Sequence, residues 1–273
     1  MSKLSDITKQ LIENPPERAA MSEVKGFPIM ANVSLKELLE SGAHFGHQTR
    51  RWNPKMKPYI FGVRGGVHII DLTKTNGMLV EATTVIRDVT AKGGKVIFVG
   101  TKRQAQAIIK DEAEKAGMPF VTERWLGGML TNFRTIRNQV ARLKKLEAGL
   151  EGGEYAGKYN KKEILDFTNE AEALNRVFGG IKHMDGLPAA MFVVDVPKEA
   201  IAVSEARRLG IPVIAIADTN ANPDLIDYII PANDDAIKAV RVITHAIAAA
   251  AQDGAAIYAS KAAEREANEG VQE

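Results

Sequence analysis

Short, unbroken apolar runs recur along this chain, and most are followed by a stretch with helical spacing. The runs fall at residues 67–72, 95–99, 119–121, 191–194, 213–217 and 228–230. A strand with one face in water alternates apolar and polar residues; a strand covered on both faces reads as continuously apolar. The intervening patterns predict helices over about 76–91, 102–116, 198–208 and 234–265. Strand and helix thus alternate, which predicts an α/β, doubly wound, mostly parallel sheet.

The middle of the chain breaks that rhythm. Phe133, Ile136, Val140, Leu143, Leu146 and Leu150 recur at three- and four-residue steps. After a loop bearing Gly149, Gly152, Gly153 and Gly157, the pattern resumes at Ile164, Phe167, Ala171, Leu174, Phe178 and Ile181. Two such stripes joined by a flexible turn predict an antiparallel coiled-coil hairpin, inserted over 130–182 in an α/β domain of residues 30–273. Ser34 and Glu37 stand at capping-box spacing ahead of a short amphipathic helix. Residues 1–29 read as a flexible extension: Leu4, Ile7, Leu11 and Ile12 share a helical face that Pro15 and Pro16 end.

A chain of 273 residues, 45% hydrophobic, can bury such a core. With 36 Lys and Arg against 34 Asp and Glu, the net charge is only +2, so partner binding depends on where the charges sit. There is no cysteine, which excludes disulfides, thiolate metal sites and cysteine nucleophiles. No run of about 18 apolar residues offers a membrane span, and the first residues lack the apolar core of a secretory signal. A cytoplasmic protein with no membrane partner is expected.

Charge is distributed unevenly. From His44 to Arg64 the chain carries Arg50, Arg51, Lys55, Lys57 and Arg64 with no acid, and Trp52 and Tyr59 lie among them. From Arg124 to Leu146 it carries Arg124, Arg134, Arg137, Arg142, Lys144 and Lys145, again with no acid. Uncancelled positive potential suits a phosphate backbone, and an interleaved ring can stack on an unpaired base. The competing reading is a solvated face whose acids arrive from elsewhere in the fold. Lys102 and Arg103 follow the strand end at Val99 and open a helix, a place suited to an anion. The glycine spacing there matches neither nucleotide-binding signature, so an RNA phosphate or simple capping fits better than a nucleotide. Glycines cluster at Gly62, Gly65 and Gly66, where a tight turn is expected, and at Gly127 and Gly128, where a bend would set the direction of the hairpin.

Asp71, Asp195 and Asp218 each end an apolar run. Ligands of open parallel sheets lie beyond the carboxyl ends of the strands, so a catalytic or metal centre would sit there. His44, His47, Asp195 and Asp218 are the candidate ligands for a structural zinc; helix capping is the alternative role for the aspartates. A metal- or nucleotide-dependent enzyme around Asp195 and Asp218 is the second functional reading. It has no further support, since no zinc-protease, nucleophile-elbow or comparable spacing occurs. Neither a catalytic residue nor a small-molecule substrate is expected, and no cofactor beyond that zinc.

The blocks VSLKELLESGAHFGHQTRRWNPKMKPYIFG, GVHIIDLTKT, KVIFVGTKRQAQ, ERWLGGMLTNFRTIR and PAAMFVVDVPKEAIAVSEARRLGIPVIAIADTNANPDLIDYIIPANDDAIKAV occur in this order between residues 31 and 250. In them the chain resembles the universal small-subunit ribosomal protein number two, bacterial type. The resemblance implies a Rossmann-like or flavodoxin-like body with a protruding hairpin, no catalysis, and a structural place in the small ribosomal subunit during translation. It implies contacts with small-subunit ribosomal RNA and with neighbouring ribosomal proteins, including docking of protein number one. Carried over to the matching blocks, phosphate contacts are implied for Arg50, Arg51, Lys55, Lys57, Lys102 and Arg103. Arg124, Arg134 and Arg137 are implied at the hairpin base, near RNA. For Arg64, Lys144 and Lys145, RNA contact is expected from charge alone. Residues 1–29 depart from the family pattern, whose usual start aligns with Met30.

Overall fold

A computed structural model describes residues 33–153, 155 and 157–269; the expectations for 1–29 lie outside them. After α1 (Leu35–Glu40) come three strands, β1 (Phe45–Gln48), β2 (Ile60–Arg64) and β3 (Val67–Ile70), then α2 (Leu72–Thr90). Next are β4 (Val96–Val99), α3 (Gln106–Lys115) and β5 (Phe120–Val121). The hairpin helices follow as α4 (Phe133–Glu151) and α5 (Lys161–Phe178). The chain finishes with β6 (Ala190–Val194), α6 (Ala200–Arg208), β7 (Val213–Ala217), β8 (Tyr228–Pro231) and α7 (Ile237–Glu269).

Five strands form an entirely parallel sheet in the order β5-β4-β6-β7-β8. Their continuous apolar runs are buried on both faces. Val96, Phe98, Phe192, Val194, Ile214 and Ile216 pack on one side against α2, α3 and α7. The alternate residues Ile97, Val99, Met191, Val193, Val213 and Ala215 pack on the other, against α6 and the root of the hairpin. The expected doubly wound architecture is therefore present, with the hairpin inserted in the β5–β6 crossover.

The run at 67–72 does not join this sheet. It forms β3, the middle strand of a separate antiparallel sheet in the order β1-β3-β2. Its burial alternates, with His68 and Ile70 inside and Val67 and Ile69 part-exposed, which marks a strand covered on one face. Only polar–apolar alternation would have announced this, and V-H-I-I obscures it. Gly65 and Gly66 form the two-residue turn between β2 and β3, both at positive φ (58° and 77°); that conformation is why glycines stand there.

Local signals decide the helix ends. Ser34 and Glu37 form the expected capping box. Asp71 accepts a hydrogen bond from Thr73 N as the N-cap of α2, which therefore starts earlier than its apolar spacing implies. In the hairpin, Ile136, Leu143 and Leu146 of α4 are buried, with Ala171 and Phe178 of α5. Gly149 belongs to α4 rather than the loop. A Cβ there would lie 2.2 Å from the ring of Tyr155, which packs with Tyr159 and Phe167 to close the tip.

Candidate nucleic-acid interface and the strand-end cluster

The order of the parallel sheet reverses between β4 and β6, and the crevice beyond their carboxyl ends is where ligands of this architecture bind. Here the protein fills that crevice with its own charges. Lys102, just past β4, reaches across it. Its Nζ lies 3.2 Å from Asp195 Oδ2, 2.7 Å from Asp234 Oδ1 and 2.7 Å from Asp235 Oδ1. Burial disfavours the ammonium, but the hydrogen bonds to Asp234 and Asp235 outweigh it and raise its pKa. Burial, with Asp195 adding repulsion, pushes the carboxyl of Asp234 up to about 7. Asp195 adopts a positive φ of 70°, a conformation that aspartate tolerates better than most residues. Burial also raises the pKa of Glu199, whose Oε1 accepts from Thr101 N (2.9 Å) and Thr101 Oγ1 (2.6 Å).

The small antiparallel sheet closes the crevice from above β7 and β8. His47 Nδ1 lies 2.8 Å from Asp218 Oδ2, and His47 N donates to Asp218 Oδ1 (3.1 Å) and Thr219 Oγ1 (2.9 Å). Two backbone bonds secure the same seam, from Asn53 N to Thr219 O (2.7 Å) and from Asn233 N to Ala43 O (3.0 Å). Gly46 permits the approach: a Cβ there would stand 2.7 Å from Thr219 Cγ2. Asp218 beside it holds His47 above the ordinary histidine value, against the effect of burial.

This geometry corrects two expectations. Lys102 is not placed as a phosphate ligand, because its side chain is only 12% exposed and its charge is matched by three carboxylates. The residues His44, His47, Asp195 and Asp218 do not converge as a metal donor set either. Asp195 faces Lys102, and His44 lies against the ring of Phe45, with burial lowering its pKa. The donors that do converge are His47, Asp234 and Asp235, within 4.8 Å of one another. Lys102 already supplies a cation to two of them, so the cluster is an internal ion network in which four carboxylates, Asp195, Asp218, Asp234 and Asp235, share Lys102 and His47. Asp234 and Asp235 escaped sequence reasoning because they stand at the predicted start of the last helix, and only the fold brings them to Lys102 and His47.

The other expected contacts lie on the surface. Arg50, Arg51, Lys57, Arg64, Arg103, Arg124, Arg134, Arg137, Lys144 and Lys145 are exposed. Among the described residues none of them has an acidic partner; Arg50 Nε donates to Gln48 Oε1 (2.9 Å). Thr49 N bonds to Gly66 O (3.0 Å), which brings Arg50 and Arg51 up to the β2–β3 turn near Arg64. Two cations of the acid-free runs are neutralised in three dimensions, Lys55 by Asp224 and Arg142 by Glu170. The aromatic rings are also committed. Trp52 packs on His68 at 4.9 Å between centroids, and Tyr59 packs against the second core. Neither is positioned as a stacking platform for a base.

The root of the hairpin is set by Glu205 on α6. Its carboxylate accepts from Trp125 Nε1 (3.2 Å), Gly128 N (2.7 Å), Leu130 N (3.0 Å), Thr131 N (3.0 Å) and Thr131 Oγ1 (2.9 Å). Burial opposes its charge, but these donors outweigh burial and hold its pKa below the usual value. Gly128, at φ 91°, makes the bend expected from the glycine pair. Glu205 carries no motif, and only the tertiary contact reveals it.

Comparison with known proteins identifies the family of this chain. A sequence profile of ribosomal protein S2 matches residues 38–254. The small ribosomal subunit protein uS2 of Solidesulfovibrio magneticus is 55% identical over 227 residues, covering 83% of this chain and 88% of that protein. That of Desulfovibrio desulfuricans is 56% identical over 228 residues, covering 84% and 88%. That of Oleidesulfovibrio alaskensis is 54% identical over 235 residues, covering 86% and 90%. The chain belongs to the ribosomal protein S2 family, whose members are structural, non-catalytic parts of the ribosome.

Proposed function

We propose that this protein is a structural component of the small ribosomal subunit that binds ribosomal RNA directly and supports the docking of ribosomal protein number one. One observation carries the RNA reading. Exposed cations without acidic partners among the described residues gather in two places, the β2–β3 turn with Arg50, Arg51, Lys57 and Arg64, and the hairpin with Arg124, Arg134, Arg137, Lys144 and Lys145. Arg103 lies exposed past the end of β4 and serves the same role. Uncompensated arginine and lysine at a surface favour phosphate, and displaced counterions supply much of the affinity. Docking of protein number one follows from the family resemblance. The exposed apolar residues Phe45, Phe61 and Val63 of the small sheet offer a protein neighbour a surface. The setting is the bacterial cytoplasm, within the ribosome; among the described residues no helix is long and apolar enough to cross a membrane.

Subunit reconstitution tests the proposal. Replacing Arg50, Arg51, Lys57 and Arg64 together with alanine is expected to reduce incorporation into small subunits and to flatten the salt dependence of RNA binding. Normal incorporation at physiological salt would refute those contacts. Loss of protein number one from subunits lacking this chain, measured by co-sedimentation, tests the docking role.

A further inference from the structure

A groove of about 880 Å3 runs beside β5, the edge strand of the parallel sheet. It is lined by none of the residues of the strand-end cluster and by none of the cations assigned to RNA. Its origin is the path of the chain. With strands in the order β5-β4-β6, the segment that returns from the hairpin must pass β5 and β4 to enter β6. Gly180 lets it pass β5 closely, since a Cβ there would collide with Phe120 O. The segment then leaves the sheet, and Asp185, Gly186 and Leu187 make no hydrogen bond to any described residue. Thr122 and Glu123, which follow β5, make none either. Both stretches line the groove, so it presents peptide N–H and C=O groups without a partner among the described residues.

The side chains narrow the ligand. Leu187 is 49% exposed, and Pro119, Phe120 and Val177 are partly buried, which gives the groove an apolar surface. Charges of both signs surround it. Lys110 and Arg176 stand with Glu114, Glu123 and Asp185, all exposed and all without a charged partner among the described residues. Lys95 also lines the groove, with Nζ donating to Gly117 O at 3.1 Å. A run of phosphates is disfavoured here, because three carboxylates would face it. Unpaired backbone, an apolar centre and a rim of mixed charge together match a polypeptide. Main-chain hydrogen bonds hold such a segment, and side-chain contacts select it. We propose that this groove seats an extended segment of a neighbouring protein, with an apolar side chain against Leu187 and side chains of both charges against the rim. The inference rests on the reading of this chain as a component of the small subunit, which is where that neighbour would be met.

Photo-crosslinking in assembled subunits tests it. The probe is p-benzoylphenylalanine in place of Leu187 in the full-length chain; the same group in place of Leu209, exposed at the end of α6, is the control. Irradiation is expected to join the Leu187 position to one segment of one other ribosomal protein, identified by mass spectrometry. That segment should carry an apolar residue flanked by both acidic and basic ones, and the control should not reach it. A synthetic peptide of that segment should bind Leu187→Ala roughly tenfold more weakly than wild type, and Leu209→Ala within about twofold of wild type. In unlabelled wild-type protein, the amides of Thr122, Glu123, Asp185, Gly186 and Leu187 should exchange at least roughly tenfold more slowly in the subunit than in the free chain. An adduct with ribosomal RNA or with the first 32 residues of this chain, no adduct above the control, or unchanged exchange would each overturn this inference alone if the wild type has entered the subunit. If the wild type does not enter subunits, the broader reading falls with it.

Discussion

Lys102 and Asp234 are 132 residues apart in sequence and 2.7 Å apart in space, joined across the carboxyl end of the parallel sheet. Asp195 and Asp235 complete the coordination of the ammonium. This contact converts the position where related architectures bind a ligand into a seam between elements. It links the ends of β4, β6 and β8, while His47 ties in the small sheet through Asp218.

Lys102→Met should therefore be strongly destabilising, because it leaves buried carboxylates without their cation. A loss of about 3–5 kcal/mol is expected by urea denaturation. Arg103→Ala, at the exposed neighbouring position, should change stability by less than about 0.5 kcal/mol. Equal effects of the two substitutions would contradict the network described here.

His47 gives the seam a pH signature. Its pKa is raised chiefly by Asp218, so its protonated form contributes stability that is complete below the ordinary value of 6.5. That contribution is lost as pH rises through the higher folded value. In an NMR titration His47 should titrate above 6.5 and His44, lowered by burial, below it. Asp218→Asn should move His47 downward; an unmoved His47 would rule out Asp218 as the cause.

Gly46→Ala tests the fit of the small sheet over β7. The added methyl would stand 2.7 Å from Thr219 Cγ2 and 3.1 Å from Asp218 Oδ1, so one side must shift. A cost of about 1–3 kcal/mol is expected in thermal or chemical denaturation. Gly62→Ala, whose Cβ would meet nothing within 4 Å, is the matched control and should cost less.

Glu205→Gln should loosen the base of the hairpin. An amide presents one acceptor oxygen where five donors converge, and its NH2 group faces other donors. About 2–4 kcal/mol should be lost, with faster amide exchange at Gly128, Leu130 and Thr131. Because the pKa of Glu205 is depressed, its contribution is present above the ordinary carboxylate value of 4.5 and lost as pH falls through the folded one. The stability gap between wild type and variant should close on acidification; a constant gap would refute the charge-assisted role.

Lys55 and Lys57 separate charge that is free from charge that is spent. Lys57→Ala should lower the salt slope of ribosomal RNA binding by about one. Lys55→Ala should have a smaller effect, since Lys55 is already paired with Asp224. Identical slopes for both variants would remove the distinction.

Apolar periodicity along the chain was enough to specify the parallel sheet, its flanking helices and the hairpin. A strand buried on both faces must be continuously apolar, and a packed helix must repeat every three to four residues. Composition read along the chain also showed where unbalanced charge is concentrated, and the collinear blocks from Val33 to Val240 carried the family. Tertiary structure alone decided which of those charges remain free. Ion pairs such as Lys102 with Asp234, Lys55 with Asp224 and Arg142 with Glu170 join distant segments, and no local pattern encodes their partners. The same reason hid Glu205, the capping of the crevice by the small sheet, and the packing of Trp52 and Tyr59. Each depends on a distance between elements, which periodicity and composition do not carry.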